Sequence, residues 1–235
     1  MVAIFGTTIS PYLFFWQASQ EVEDIKVIAE REPLIDLPRQ GPSAFERIRL
    51  DTYVGMAFSN LVALAIIITT AATLHAAGIT DIDSADAAAQ ALRPLAGPFA
   101  FTVFTLGIVG TGLLAVPVLA GSAAYALGEA CKWPVGVARR PLAAKAFYAT
   151  IALATLIGAA INFSAINPIK ALFWSAVING VVAVPVMATM MLMIANKKIM
   201  GKFIITSPLR ILGWAATLTM AAATIGMFVT AFGSA

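Results

Sequence analysis

Charged residues punctuate this chain, and six uncharged stretches lie between them. Residues 1–20, 52–80, 94–128, 146–169, 171–196 and 211–235 hold no Asp, Glu, Lys or Arg. Each supplies the roughly 20 apolar residues that a helix needs to cross a bilayer. The pattern predicts an all-α integral membrane protein with one transmembrane domain over 1–235 and six transmembrane helices. These fall at about 1–20, 52–78, 96–128, 146–164, 170–196 and 209–234. The stretch 94–128 carries Gly107, Gly110, Gly112 and Pro117, so a re-entrant segment is the competing reading there.

The first stretch is the least regular. It contains Gly6-Thr7-Thr8-Ile9-Ser10-Pro11-Tyr12. Pro11 lacks a backbone donor and clashes with the preceding turn, so the helix is expected to open there and free carbonyls at membrane depth. Such backbone is tolerated only where protein buries it or where it lines a cavity, and transporters bind ions at helices broken in this way. A simple proline kink is the competing reading, since prolines are frequent in membrane helices. Asn179-Gly180, with Pro185 following, is expected to interrupt the fifth stretch, and the Asn179 amide needs a partner.

Composition agrees with the pattern. The chain is 60% hydrophobic and 11% charged, with a mean hydropathy of +0.89, against about 25% charged residues in a soluble domain. One cysteine, Cys131, excludes a disulfide within the chain. No secretory signal is visible. The basic pI of about 9.2 reflects loop charge rather than affinity for nucleic acid. Loops 21–51, 129–145 and 197–210 hold thirteen Lys and Arg residues; Arg93 and Lys170 are the remaining two. The positive-inside rule therefore places those three loops in the cytoplasm. The first helix would then enter from outside, so the chain is expected to be a fragment lacking helices before Met1.

Candidate chemistry is sparse. There is no enzymatic motif and no carboxylate inside any span, and ionisable groups in spans are the usual marks of an ion pathway. His75, near the outer end of the second helix, fits an interfacial polar residue or a proton relay. Glu21, Glu23 and Asp24, with Pro33, Pro38 and Pro42 beyond, read as a solvated connector or as a cation-gathering exit. Asp81, Asp83 and Asp86 lack the glycine and terminal Glu of a calcium loop. Ser59, Asn60, Thr69, Thr70, Thr105 and Thr111 are polar at depth but not ionisable.

Several motifs together give the chain a family resemblance. They are Gly-Thr-Thr-Ile-Ser-Pro-Tyr at 6–12, Phe-Phe-Trp-Gln-Ala-Ser at 14–19 and Gly-Met-Ala-Phe-Ser-Asn-Leu at 55–61. Further along come Gly-Thr-Gly-Leu-Leu-Ala-Val-Pro-Val-Leu-Ala-Gly-Ser at 110–122, Asn-Pro-Ile-Lys at 167–170 and Ile-Met-Gly at 199–201. With these the chain resembles the C-terminal half of an Nramp-type divalent metal transporter of a divergent bacterial branch. The resemblance implies the second half of a LeuT-type inverted repeat plus one extra helix, with the six helices here corresponding to helices six to eleven. It also implies a missing N-terminal half whose Asp-Pro-Gly-Asn helix brings the metal-binding carboxylate and amide.

The family's sixth helix reads Ala-Thr-Ile-Met-Pro-His. By that alignment Thr7 offers its carbonyl to the metal, Ser10 stands for the methionine ligand and Tyr12 for the histidine linked with proton movement. Loss of the sulfur removes a preference for soft ions, and an unperturbed tyrosine does not titrate near neutral pH. The resemblance thus implies transport of Mn, Fe or Mg by alternating access, with the lipid bilayer as partner, no cofactor and no nucleic acid. Thr7 and Ser10 are the metal candidates, and Gly6, Pro11, Tyr12 and Asn179 shape the break or line the path. Two alternatives stay open: a sodium-coupled transporter of small organic solutes on the same fold, and a non-transporting half-length subunit or pseudogene product.

Overall fold

The computed structural model describes residues 2–80, 82, 84–90 and 92–233. Met1, Asp81 and Asp83, on which the chain-start and acidic-loop expectations fall, lie outside the described residues. Within them the chain is helical, with ten α-helices. These are α1 (Val2–Thr8), α2 (Pro11–Val27), α3 (Gly41–Thr70), α4 (Ala85–Gln90), α5 (Arg93–Ala96), α6 (Ala100–Ala130), α7 (Lys145–Ile161), α8 (Pro168–Ile194), α9 (Lys197–Met200) and α10 (Ser207–Gly233). A π-helical turn, Ala71–His75, continues α3.

Four helices are long and apolar enough to cross a membrane: Pro38–His75, Gly97–Ala130, Pro168–Ile194 and Ser207–Ala231. Lys145–Ile161 is apolar but shorter, spanning about 26 Å at 1.5 Å per residue. The first uncharged stretch is two helical pieces, neither of which is counted among these four.

One expectation is corrected and two readings are made more exact. Asn179-Gly180 does not interrupt its helix, because α8 runs unbroken from Pro168 to Ile194. The competing re-entrant reading of 94–128 finds no break from Ala100 onward, because α6 runs continuously through Gly107, Gly110, Gly112 and Pro117. The connector 21–51 is helical at both ends, since α2 continues to Val27 and α3 begins at Gly41. Glu, Lys and Arg are good helix formers, so charge marks where the apolar span ends, not where the helix ends.

The chain divides into two compact units, residues 1–42 with 172–235, and residues 43–171. In the first, α1 packs on α10 and crosses α8 at glycines. A Cβ on Gly6 would lie 1.9 Å from the Ala176 carbonyl oxygen, and one on Gly180 would lie 2.8 Å from the Val2 carbonyl oxygen. Backbone meets backbone there, as small residues at membrane-helix crossings permit. Gly213 of α10 likewise abuts the Met191 side chain of α8. Val2 and Gly6 meet progressively earlier residues of α8, so the two helices run antiparallel.

In the second unit α6 and α7 form the dominant pair, with α4 and α5 against α6. Its core holds Ala120, Ser122, Ala124, Tyr125 and Phe147. Local signals explain several boundaries. Asn167 caps α8, its Oδ1 accepting from the Ile169 and Lys170 amides at 2.8 and 3.3 Å, with Pro168 in the first turn where its missing donor costs nothing. Ser84 Oγ accepts from the Ala87 amide at the start of α4, and Asn196 caps α9 through the Lys198 amide.

Candidate functional site: the break between α1 and α2

The backbone ladder of α1 ends with the Ile9 amide donating to the Phe5 carbonyl at 2.7 Å, and the chain resumes with the Leu13 amide donating to Ser10 at 3.0 Å. Between them Ser10 is extended, with φ −97° and ψ 112°, the conformation a following proline favours. Pro11 then opens α2 without needing a donor. The carbonyls of Gly6, Thr7, Thr8 and Ile9 consequently fall outside the helical ladder, as the last four of any helix do.

Ser10 serves two of them. Its Oγ donates toward the Gly6 and Thr7 carbonyls, both at 3.2 Å. It is 4% exposed, so these bonds replace water at a buried position. Thr7 and Thr8 send their hydroxyls back to the Ile4 carbonyl at 2.7 and 3.0 Å. The carbonyls of Thr8 and Ile9 are left at the C-terminal end of α1, where the helix dipole is negative. Each carbonyl oxygen also has two lone pairs, so Thr7 keeps accepting capacity beyond its bond to Ser10.

The six residues singled out from the sequence separate by exposure. Gly6, Ser10 and Pro11 are buried, Tyr12 and Asn179 are half-buried, and Thr7 is exposed. Gly6, Thr7, Ser10, Pro11 and Tyr12 surround one break. Asn179 neighbours Gly180, against which Val2 packs, so it sits on α8 beside the α1 crossing. Among the described residues no group of three or more His, Cys, Asp or Glu side chains could hold a metal ion. The oxygens gathered at the break are carbonyls and hydroxyls, which suit hard cations.

Two of the other polar residues flagged at depth, Asn60 and Thr70, are accounted for locally. The Asn60 amide bonds back to the Met56 carbonyl at 2.8 Å and the Thr70 hydroxyl to Ile66 at 2.9 Å. His75 is exposed in the π turn. Beside that turn is an open cavity of about 370 Å³ with Thr73, Leu74, Gln90 and Arg93 in its lining. Two features escaped the sequence reading. Ala176 and Gly180 form the groove that receives Gly6, a small-xxx-small spacing that was legible in principle. Thr224 of α10 is 7% exposed with an unpartnered hydroxyl, although Thr217, Thr219 and Thr230 of the same helix bond back to carbonyls four residues earlier.

A family model described as "Nramp: Natural resistance-associated macrophage protein-like" matches residues 1–230.

Proposed function

The chain belongs to the Nramp family, and from that premise we propose that it moves divalent metal cations across the membrane by alternating access, with the ion held at the break between α1 and α2. It is an integral membrane protein of a family of transporters rather than enzymes. The observation that carries the reading is the group of carbonyls from Gly6 to Ile9 that the break removes from the ladder. Half-helix C-terminal ends with unwound carbonyls are what transporters of this architecture use to coordinate cations.

In this reading the Thr7 carbonyl and the Ser10 hydroxyl oxygen are metal ligands. A hydroxyl that donates its proton to the helix still has lone pairs to offer. Gly6 lets α1 approach α8, Pro11 keeps the helix open, and Tyr12 and Asn179 line the path. The all-oxygen set favours Mg or Mn and serves Fe less selectively. Formal negative charge comes from a partner segment carrying Asp-Pro-Gly-Asn, because the uncharged stretches of this chain hold no carboxylate. In this reading the excess of Lys and Arg in loops 21–51, 129–145 and 197–210 puts them on the cytoplasmic side, in a bacterial inner membrane. The bilayer is the only other partner; no cofactor and no nucleic acid take part.

Ser10→Met tests the assignment. A thioether is soft and polarizable, so the substitution is expected to raise Cd transport relative to Mg when the two compete in vesicles. If all fluxes fall together and the ratio stays fixed, Ser10 only ties its own helix and is not a ligand.

A further inference from the structure

We propose that the loop joining α6 and α7 is a preformed docking surface for anionic lipid headgroups at the membrane face where these two helices end. This inference rests on the chain being embedded in a membrane and not on what it transports.

The loop is held as a rigid object from below. Tyr125, 1% exposed, accepts the Val137 amide on its hydroxyl at 3.1 Å. Tyr148 donates its hydroxyl to the Val137 and Arg139 carbonyls, both at 3.0 Å. Phe147 stands edge-on to both tyrosine rings, at 4.9 and 5.4 Å between centroids. Gly128 admits the Val135 side chain, whose Cγ1 would lie 2.2 Å from a Cβ at that position. The segment is therefore pinned from Val135 to Arg139, unlike a solvated linker.

What it presents outward is cationic and apolar together. Lys132, Arg139, Arg140 and Lys145 are exposed, and among the described residues none of the four is ion-paired. Trp133 is 38% and Leu142 82% exposed. Tryptophan and aliphatic anchors flanked by Lys and Arg are suited to the headgroup layer, where the ring sits at the interface and the cations meet phosphate.

The backbone at the start of the loop points the same way. Lys132 is left-handed, with φ 57°, and closes α6 in a Schellman arrangement: the Trp133 amide reaches the Gly128 carbonyl at 2.8 Å and the Lys132 amide reaches Glu129 at 3.2 Å. Glycine is the usual residue at that position. A lysine there accepts strain that glycine avoids, and it sets a cation beside Trp133 at the helix end.

The test uses the full chain purified in a neutral detergent. Its thermal stability is measured against phosphatidylglycerol, phosphatidylcholine or inorganic phosphate. Phosphatidylglycerol is expected to stabilise at lower concentration than phosphatidylcholine, with free phosphate without effect. The preference is expected to fade between 0.1 and 1 M salt, a readout that needs no substitution. Lys132→Gln, Arg139→Gln, Arg140→Gln and Lys145→Gln combined should weaken the apparent affinity by up to about 1,000-fold, the order that four cations at an anionic surface supply. The matched set Lys197→Gln, Lys198→Gln, Lys202→Gln and Arg210→Gln should change it less. Equal response to the two lipids, a preference that persists at high salt, or equal loss in both charge-neutralised variants would overturn the proposal. Free phosphate acting as well as the lipid would make this a simple anion site and overturn it too.

Discussion

Pro11, Pro117 and Pro185 each lie well inside an apolar stretch of this chain, and they meet different fates. Pro11 stands at a complete break, whereas Pro117 and Pro185 lie inside α6 and α8 without ending them. All three lack the same donor, so the difference lies in the residue before each. Ser10 has a hydroxyl that reaches the Gly6 and Thr7 carbonyls. Val116 and Val184 have nothing to offer. A break before either valine would leave carbonyls bare in apolar surroundings, at a cost of several kcal/mol each. The helix there loses one bond and stays whole.

The glycines divide in the same way. Gly6 and Gly180 have backbone within 3 Å of where a Cβ would stand, while Gly107, Gly110 and Gly112 of α6 have nothing within 4 Å. The first pair is a packing device. The second group faces none of the described residues at that distance.

The largest effect expected from this contrast is at Gly6. Gly6→Ala drives a methyl into the Ala176 carbonyl, and we expect a loss of about 3 kcal/mol or more in stability and no measurable transport. Gly110→Ala, in open space, should raise stability by up to about 1 kcal/mol through helix propensity alone. Thermal unfolding of the two variants side by side would break the comparison if they behaved alike.

Next in size is Ser10→Ala. It strips the buried Gly6 and Thr7 carbonyls of a donor, and such groups cost about 1–3 kcal/mol when left unmet. Val116→Ala and Val184→Ala, which remove only methyl groups before the other two prolines, sharpen the comparison: each should leave its helix continuous, as read by hydrogen exchange along α6 and α8.

The smallest effect expected is in the second unit. Tyr148→Phe removes two bonds to exposed loop carbonyls and should cost about 1 kcal/mol, seen as faster exchange at the amides of residues 137–139 with α6 and α7 unchanged.

How much of this could be read from the residues follows from the same physics. The break at Ser10-Pro11 was legible because proline restricts its neighbour as well as itself. Asn179-Gly180 misled because a glycine that weakens an isolated helix also lets another backbone approach, and Val2 fills that place. The ends of α2 and α3 reach beyond the apolar spans because Glu21, Glu23 and Lys26 in α2, and Glu46, Arg47 and Arg49 in α3, sustain a helix as well as apolar residues do. The tyrosine clamp on the α6–α7 loop joins residues eleven and twelve apart in sequence, and no local pattern announces such a contact.

The central claim is that the break itself is the ion site, and mending the break tests it most directly. Ser10→Ala with Pro11→Ala replaces the interruption by two good helix formers and restores the missing donor, so α1 and α2 should join into one helix. Mn uptake into proteoliposomes would be measured for this variant and the parent, each together with the partner segment proposed above, alongside thermal unfolding. We expect uptake to fall to background while stability is unchanged or higher. Undiminished Mn uptake through a mended helix would contradict the account.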